Sequence, residues 1–346
     1  MAKPAAPDLP PLGLTGAYRM RWKRRRMLWR ALRARRQMSK VADRTAQIPG
    51  QGVLVFIVLR NEITRLPYFL DYYRRLGAAH FLAVDNGSDD GSAELLAGQP
   101  DVSLWGTAGS YRDTRFGLDW LSWLLIRHGH GRWCLTVDAD ELLVYAGMER
   151  HGLPELTDHL QRRGQEGFGA LMLDLYPKGP LGTQSYTPGQ DPCEVLQWFD
   201  AGPYRAVRQQ PMGNLWLQGG MRERVFFAGQ PERSPTLNKI PLVKWNRRYA
   251  YVNSTHSLLP PALNALYSGP GGAEPSGVLL HTKFLPEIVS KSATEKTRRQ
   301  HFHTPQQFDS YYDGITAAPD LWHPGSVRYQ GAGQLAELGL MQPAGW

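Results

Sequence analysis

The chain has 346 residues, 42% of them hydrophobic, and 40 Lys and Arg against 31 Asp and Glu give a formal net charge of +9. This is an ordinary globular composition, long enough for one large domain or two smaller ones, and its 26 Pro and 36 Gly predict many turns and irregular connections, chiefly in the second half. Two cysteines exclude a disulfide framework and fit a reducing compartment, and without a signal-peptide pattern or an apolar run of about 18 residues the chain reads as soluble and cytoplasmic.

Residues 1–48 form a basic arm. Between Arg19 and Arg44 stand twelve Arg or Lys and one acid, Asp43, so this stretch carries +11 and the remainder about −2. At helical spacing Met20, Met27, Ala31 and Met38 fall on one side, but Trp22 and Trp29 fall opposite, which makes the helix poorly amphipathic. Such a helix either packs on the body by its Met side or lies on an anionic membrane surface, at the inner face of the plasma membrane. Nucleic acid is the less favoured partner.

Pro49-Gly50 closes the arm and opens a unit over 49–150. Val53–Leu59 (VLVFIVL) is a continuous apolar run, as in a parallel strand buried on both faces, and it ends in Arg60-Asn61-Glu62. A helix is expected over 63–76, with Pro67 near its start and Gly77 as its stop. A second strand over 80–84 runs into Asp85-Asn86-Gly87-Ser88-Asp89-Asp90. A short helix over 92–97, a third strand over 102–105 and a helix over 113–127 follow. The fourth strand, 133–137, runs into Asp138-Ala139-Asp140-Glu141. In extended geometry Asp138 and Asp140 point the same way, and two such carboxylates call for a cation. Mg²⁺ or Mn²⁺ needs only one or two protein carboxylates when substrate phosphates supply the other oxygens. Asp-x-Asp alone is common, and an acidic strand end facing solvent is its simplest reading in isolation.

Strands alternating with helices predict an open α/β sheet, Rossmann-like, mainly parallel and flanked by helices. Ligands of such sheets bind outside the carboxyl ends of the strands, so all three acidic turns should share one edge. No Gly-x-Gly-x-x-Gly follows the first strand and there is no Walker A sequence, which argues against dehydrogenases and P-loop enzymes.

Leu59-Arg60-Asn61-Glu62, Val84-Asp85-Asn86-Gly87-Ser88-Asp89-Asp90-Gly91 and Val137-Asp138-Ala139-Asp140-Glu141, in this order, resemble the three nucleotide-sugar motifs of family 2 type glycosyltransferases of the GT-A fold. The first motif is that of the Arg-Asn-Glu subgroup, which is also similar to family 92. The resemblance covers about residues 50 to 145. It implies a GT-A-like fold and a nucleoside diphosphate sugar donor, with Glu62 and Asp85 meeting base and ribose within a donor site that includes Asn61, Asn86 and Asp89. It also implies an Asp-x-Asp motif, Asp138 and Asp140, that holds Mn²⁺ or Mg²⁺ against the diphosphate. Arg60 and Arg115 would add positive charge nearby, or be ordinary surface arginines.

The resemblance thins over 151–310, which it makes the acceptor half of the same domain. Inverting members of the fold take their base from this region, which must remove a proton from the acceptor hydroxyl. Glu223, after Gly219-Gly220, is the candidate, with Asp174 in the strand 168–175 as runner-up; a salt-bridged surface role between Arg222 and Arg224 fits Glu223 equally well. Short strands are expected over 239–245, 252–256 and 278–284. A histidine leaving a late strand completes the metal shell in this fold, and His281 matches that pattern, whereas His256 would meet phosphate or acceptor; a packed histidine is the plain reading of either. In the resemblance Lys283 and Lys291 would contact the diphosphate. A charged helix over 287–303 packs back on the body, and the tail 311–346 has no assigned role.

The expected activity is metal-dependent transfer of a sugar to a hydroxyl of a glycan or lipid-linked acceptor, with inversion, as in polysaccharide biosynthesis. Two other classes keep the same residues: a phosphoryl or nucleotidyl transferase with an acidic metal site, and a non-catalytic sugar-nucleotide-binding protein.

Overall fold

A computed structural model describes residues 10, 12–298 and 309–346. The chain begins with helix α1 (Leu14–Ala34) and strand β1 (Ser39–Ala42). The first half continues through β2 (Val53–Leu59), α2 (Leu66–Arg75), β3 (Ala78–Asp85), α3 (Ser92–Ala97), β4 (Val102–Gly106), α4 (Leu118–His128), β5 (Trp133–Thr136) and β6 (Glu141–Val144). The second half runs through α5 (Leu153–Arg162), β7 (Gly167–Asp174), α6 (Pro192–Val195), β8 (Trp198–Phe199), β9 (Tyr204–Gln209), β10 (Asn214–Gly219) and α7 (Gly220–Phe226). It closes with β11 (Asn238–Lys244), β12 (Ala250–Tyr251), β13 (Leu258–Leu259), β14 (Ser276–His281), α8 (Ile288–Arg298), α9 (Asp309–Thr316), β15 (Val327–Arg328) and α10 (Ala332–Glu337).

Nine strands form the central sheet, in the order β1-β4-β3-β2-β5-β11-β7-β14-β6. The pairs β4-β3, β3-β2, β2-β5 and β7-β14 are parallel, while β1, β11 and β6 pair antiparallel with their neighbours, so six strands run one way and three the other. The protein is therefore a mixed α/β fold on a mainly parallel sheet. Strand β2 shows why its run is apolar throughout. Val53, Val55, Ile57 and Leu59 face a core with α2 and α5, and Leu54 and Phe56 face the opposite core with α4. Around β7 and β14 a third core takes in Tyr311 and Ile315 of α9 and Leu335 of α10.

Because β11 lies between β5 and β7, strands from 49–150 and 151–310 are interleaved in one sheet. The packing there leaves no slack: a Cβ on Gly169 in β7 would come within 2.2 Å of the Tyr267 side chain.

Several expected boundaries move for local reasons. The helix foreseen over 63–76 starts at Leu66, since the Ile63 N–H instead donates to Asp90 Oδ2 at 3.0 Å. The helix foreseen over 113–127 starts at Leu118, because Arg115, Phe116 and Gly117 hold φ of 55°, 60° and 74° and cannot be helical. Residues 252–256 form a turn around Ser254 at φ 45° and not a strand. The charged helix is described as α8, and its expected extension to His303 lies outside the described residues. The tail contributes α10 and packs into the third core.

The arm helix α1 buries Met20, Met27, Ala31 and Ala34 and packs on α4 and β12, with Arg30 Nη2 2.8 Å from the buried Asp119 carboxylate. Among the described residues no helix is long and apolar enough to cross a membrane.

Candidate functional site

Strand direction decides what meets at the sheet's edge. β2, β3, β5, β7 and β14 all point their carboxyl ends the same way, and antiparallel β11 presents its first residues there. The edge therefore carries Arg60-Asn61-Glu62, Asp85-Asn86, Asp138, Asp174, His281 and Lys239. The chain leaves β5 and re-enters the sheet at its far side as β6, so the turn from Asp138 to Glu141, closed by Glu141 N–H to the Asp138 carbonyl at 3.1 Å, reaches across this edge.

Register then pairs the side chains. In β14, His281 stands level with Asp174 of β7 on one side and Glu141 of β6 on the other. His281 Nδ1 lies 2.6 Å from Asp174 Oδ1, and His281 Nε2 lies 3.2 Å from Asp140 Oδ2. Carboxylates facing both ring nitrogens favour a proton on each, the charged form of the imidazole, and a cation at Nε2 would take the place of that proton. Asp174 in turn accepts from Arg222 Nε at 2.7 Å. The Asp140 backbone is pinned by Thr282, whose N–H donates to the Asp140 carbonyl at 2.7 Å and whose hydroxyl donates at 3.0 Å.

On the other flank, Leu242 pairs with Leu135, and extending that antiparallel register brings Lys239 level with Asp138. Lys239 Nζ lies 2.8 Å from Glu141 Oε1 and 3.2 Å from Asp138 Oδ2. Lys239 and Glu141 are buried, whereas the Asp138 side chain is 54% exposed. The third carboxylate of the motif is thus an internal anchor, and its Oε2 also accepts the Asp138 N–H at 3.2 Å.

Charge follows the geometry. Burial pushes the Asp140 carboxyl up, but His281, and beyond it Arg65 and Lys283, outweigh that and hold it well below the ordinary range. For Asp174 burial is likewise overcome, by Arg222 first and then His281, leaving it at about 2. Burial would lower His281, yet Asp140 and then Asp174 raise it. Burial raises Glu141 despite Lys239.

Above the edge lies a cavity of about 370 Å³, lined by Arg60, Asn61, Glu62, Arg65, Asn86, Tyr111, Asp138, Asp140, His281, Lys283 and Tyr312, with α8 supplying Lys291, Ser292, Thr294 and Glu295. Its volume suits a small ligand. Two loops make the β2–β3 side rigid. Asn61, at φ 55°, donates from Nδ2 to Asp89 Oδ1 at 2.7 Å, and its backbone N–H donates to Ser88 Oγ at 2.9 Å. Asp85 accepts from Ser88 N–H at 3.0 Å and from the Ser88 hydroxyl, so its carboxylate closes its own turn. Arg60 Nη1 donates to the Asn86 carbonyl at 3.2 Å, and Asn86 Nδ2 donates to the Gly109 carbonyl at 3.0 Å. Glu62 pairs with Arg65 at 2.7 Å and with Lys291 of α8 at 2.9 Å, tying the helix to the first motif.

The cavity thus gathers Arg60, Asn61, Glu62, Asn86, Asp138, Asp140, His281, Lys283 and Lys291 of the residues singled out in the sequence. Asp85 and Asp89 hold the loop beside it. Besides these two, Asp174, Glu223 and Arg115 are not among its lining residues, and the charge of each is engaged elsewhere. Asp174 lies behind His281, bonded to that ring and to Arg222. Both Glu223 oxygens are taken, one by Arg205 and the other by the Ser234 hydroxyl at 2.9 Å. Arg115 pairs with Asp119 and donates to the Tyr251 carbonyl at 2.9 Å. His256, half-buried beneath β11, has Nδ1 2.5 Å from the Asn238 carbonyl.

Three charged neighbours of the site escaped sequence reasoning: Lys239, Arg65 and Arg222. In the sequence Lys239 is only the first residue of a short expected strand, and the antiparallel register reveals its partner. Arg65 is buried between Glu62 and Glu287, which hold it charged although burial opposes that.

Two of these side chains are spaced as adjacent ligands of a divalent cation would be. Asp140 Oδ2 and His281 Nε2 are 3.2 Å apart. Adjacent ligands around an octahedral ion at about 2.1 Å would be about 3.0 Å apart. A carboxylate behind the histidine is the arrangement that orients a metal-binding imidazole. Among the described residues no group of three or more His, Cys, Asp or Glu could hold a metal ion, so a cation beside Asp140 and His281 would depend on phosphate or water oxygens for its other positions.

Fold and site together define an α/β protein with an acidic, histidine-bearing centre at the carboxyl edge of its sheet. The sequence matches no protein-family profile and no curated protein. Among solved structures, a 4-diphosphocytidyl-2C-methyl-D-erythritol synthase is similar over 41% of this chain and 66% of its own, at 16% identity and a TM-score of 0.26. The mannosyltransferase PcManGT from Pyrobaculum calidifontis, solved with GDP-Man and Mn²⁺, is similar over 48% of this chain and 47% of its own, at 18% identity and a TM-score of 0.25. Likeness at this level leaves the family open.

Proposed function

We propose that the protein is a metal-dependent glycosyltransferase that moves a sugar from a nucleoside diphosphate sugar to a hydroxyl of a glycan or lipid-linked acceptor, with inversion. What carries the reading is the row Asp140, His281 and Asp174, spaced at 3.2 and 2.6 Å, at the edge of a cavity that also presents Arg60, Lys283 and Lys291. Acidic donors beside cationic ones match a ligand that brings both a metal and phosphates. Asp140 and His281, with Asp138 beside them, would hold Mn²⁺ or Mg²⁺, which supplies positive charge against the diphosphate leaving group. Lys283, Lys291 and Arg60 bind phosphate oxygens, and Asp174 fixes the His281 ring. The first two motif loops receive base and ribose, with Glu62 and Asn86 facing the cavity. As base for the acceptor hydroxyl, Glu223 would first have to part from Arg205, and Asp174 from Arg222 and His281. An acceptor carried on lipid would be met at the inner face of the plasma membrane.

The test is release of nucleoside diphosphate from UDP- and GDP-sugars with Mn²⁺, alongside nucleoside triphosphates. Release from a diphosphate sugar that depends on Mn²⁺ and is lost in Asp138→Ala and Asp140→Ala is expected. Turnover of triphosphates alone would move the assignment to nucleotidyl or phosphoryl transfer, and donor binding that ignores both substitutions would refute the metal site.

A further inference from the structure

The outer side of α1 resolves a contradiction in its sequence. Its apolar residues fail to make one stripe because they make two. Met20, Met27, Ala31 and Ala34 are buried against the body. On the opposite side Leu14, Tyr18, Trp22, Trp29 and Leu32 are exposed, by 92%, 61%, 51%, 66% and 37%. At about 100° per residue these five fall within an arc of about 80°, roughly 180° from the buried four. Five of the nine large apolar side chains exposed among the described residues therefore sit on one face of one helix. Exposed arginines run with them: Arg25 lies within the stripe, with its guanidinium 5.3 Å from the Trp22 ring, Arg21 borders one side, and Arg26 and Arg33 border the other.

We propose that this face docks on the surface of an anionic lipid bilayer, with α1 lying flat, its aromatic stripe at the headgroup level and its arginines on lipid phosphates. Charge selects the occupant. A second copy of the chain would bring two arginine-edged stripes together, and nucleic acid would satisfy the arginines while leaving Leu14, Trp29 and Leu32 in water. A bilayer surface satisfies both, since tryptophan and tyrosine favour the interface and basic residues favour anionic headgroups. The helix already holds the body by its other face and by Arg30 on Asp119, so docking would also fix which side of the domain turns to the membrane. The inference extends the location suggested by a lipid-linked acceptor, and its test uses no sugar nucleotide, so either can fail alone.

The full chain is sedimented with phosphatidylcholine vesicles with and without phosphatidylglycerol. Expected is binding to the anionic vesicles only, weakened by salt, with blue-shifted tryptophan emission. Trp22→Ala/Trp29→Ala should reduce partitioning about tenfold or more, and Arg21→Gln/Arg25→Gln/Arg26→Gln should weaken binding and flatten its salt dependence, both with an unchanged urea midpoint. Equal partitioning of wild type and variants, no preference for anionic lipid, binding to duplex nucleic acid in place of vesicles, or a dimer in solution that Trp29→Ala dissolves would each overturn the proposal.

Discussion

Replacing Asp174 by Asn tests the organisation of the site most directly, because it changes one charge and almost no volume. The carboxylate accepts from Arg222 Nε at 2.7 Å and from His281 Nδ1 at 2.6 Å, and the side chains of all three are less than a tenth exposed. An amide offers a single oxygen to two donors and turns its own N–H groups on the other, while Arg222 keeps its buried charge without the carboxylate that pairs with it. Breaking a buried pair in this way costs about 3–5 kcal/mol. Removing the guanidinium as well takes away the charge left facing the amide, so Asp174→Asn/Arg222→Met should recover most of the loss. The assay is urea unfolding of wild type, both single variants and the double variant, read as a double-mutant cycle. A second readout separates structure from the proposed metal site: with an amide in place of the carboxylate at His281 Nδ1, Mn²⁺ should bind roughly 10–100-fold more weakly in the folded variant. A loss below about 1 kcal/mol, or single losses that simply add in the double variant, would refute the buried network.

Two further outcomes follow from the charges beneath the cavity. Lys239→Met should destabilise by about 3 kcal/mol or more in urea unfolding, because it leaves Glu141, 1% exposed, beside Asp138 and Asp140 without its ion-pair partner, and Glu141→Gln added to it should restore much of the loss; a single-variant loss under about 0.5 kcal/mol would argue against the pair. Burial, helped by Lys239, lowers His256 from 6.5 to about 3. The unfolded chain then takes up this proton first, so the histidine's contribution is whole above pH 6.5 and drains as pH falls towards about 3, at up to about 1.4 kcal/mol per pH unit. Urea midpoints at several pH values should fall less steeply for His256→Asn than for wild type, and parallel profiles would contradict this.

The central strands were legible because burial on both faces writes itself as unbroken apolar runs, and Val53–Leu59 is the plainest of them. Their shared direction follows from the alternating helices, and with it the gathering of Arg60-Asn61-Glu62, Asp85-Asn86 and Asp138 at one edge. What the local pattern could not carry are pairings made across the chain. β6 follows Asp140 directly yet joins the sheet beside β14, and Lys239 comes under Asp138 from about a hundred residues away, with nothing nearby to announce either. The same holds for Glu223, whose Gly-Gly approach was visible while its partners Arg205 and Ser234 were not. The start of α4 was missed for a steric reason, since three successive left-handed residues interrupt a sequence whose apolar spacing is helical.

The position of β11 reaches into how the chain is made. A ribosome that has delivered the first 150 residues has built β5 with one edge unpaired and set three carboxylates beside it, and the lysine that answers two of them does not yet exist. Only when Asn238–Lys244 emerges do the sheet's two halves join, and the same strand delivers Lys239 to Asp138 and Glu141. Joining the two halves and neutralising Asp138 and Glu141 are then one event, with His281 still to follow on β14, so a chain cut between the halves would leave a sticky strand edge with its negative charges exposed.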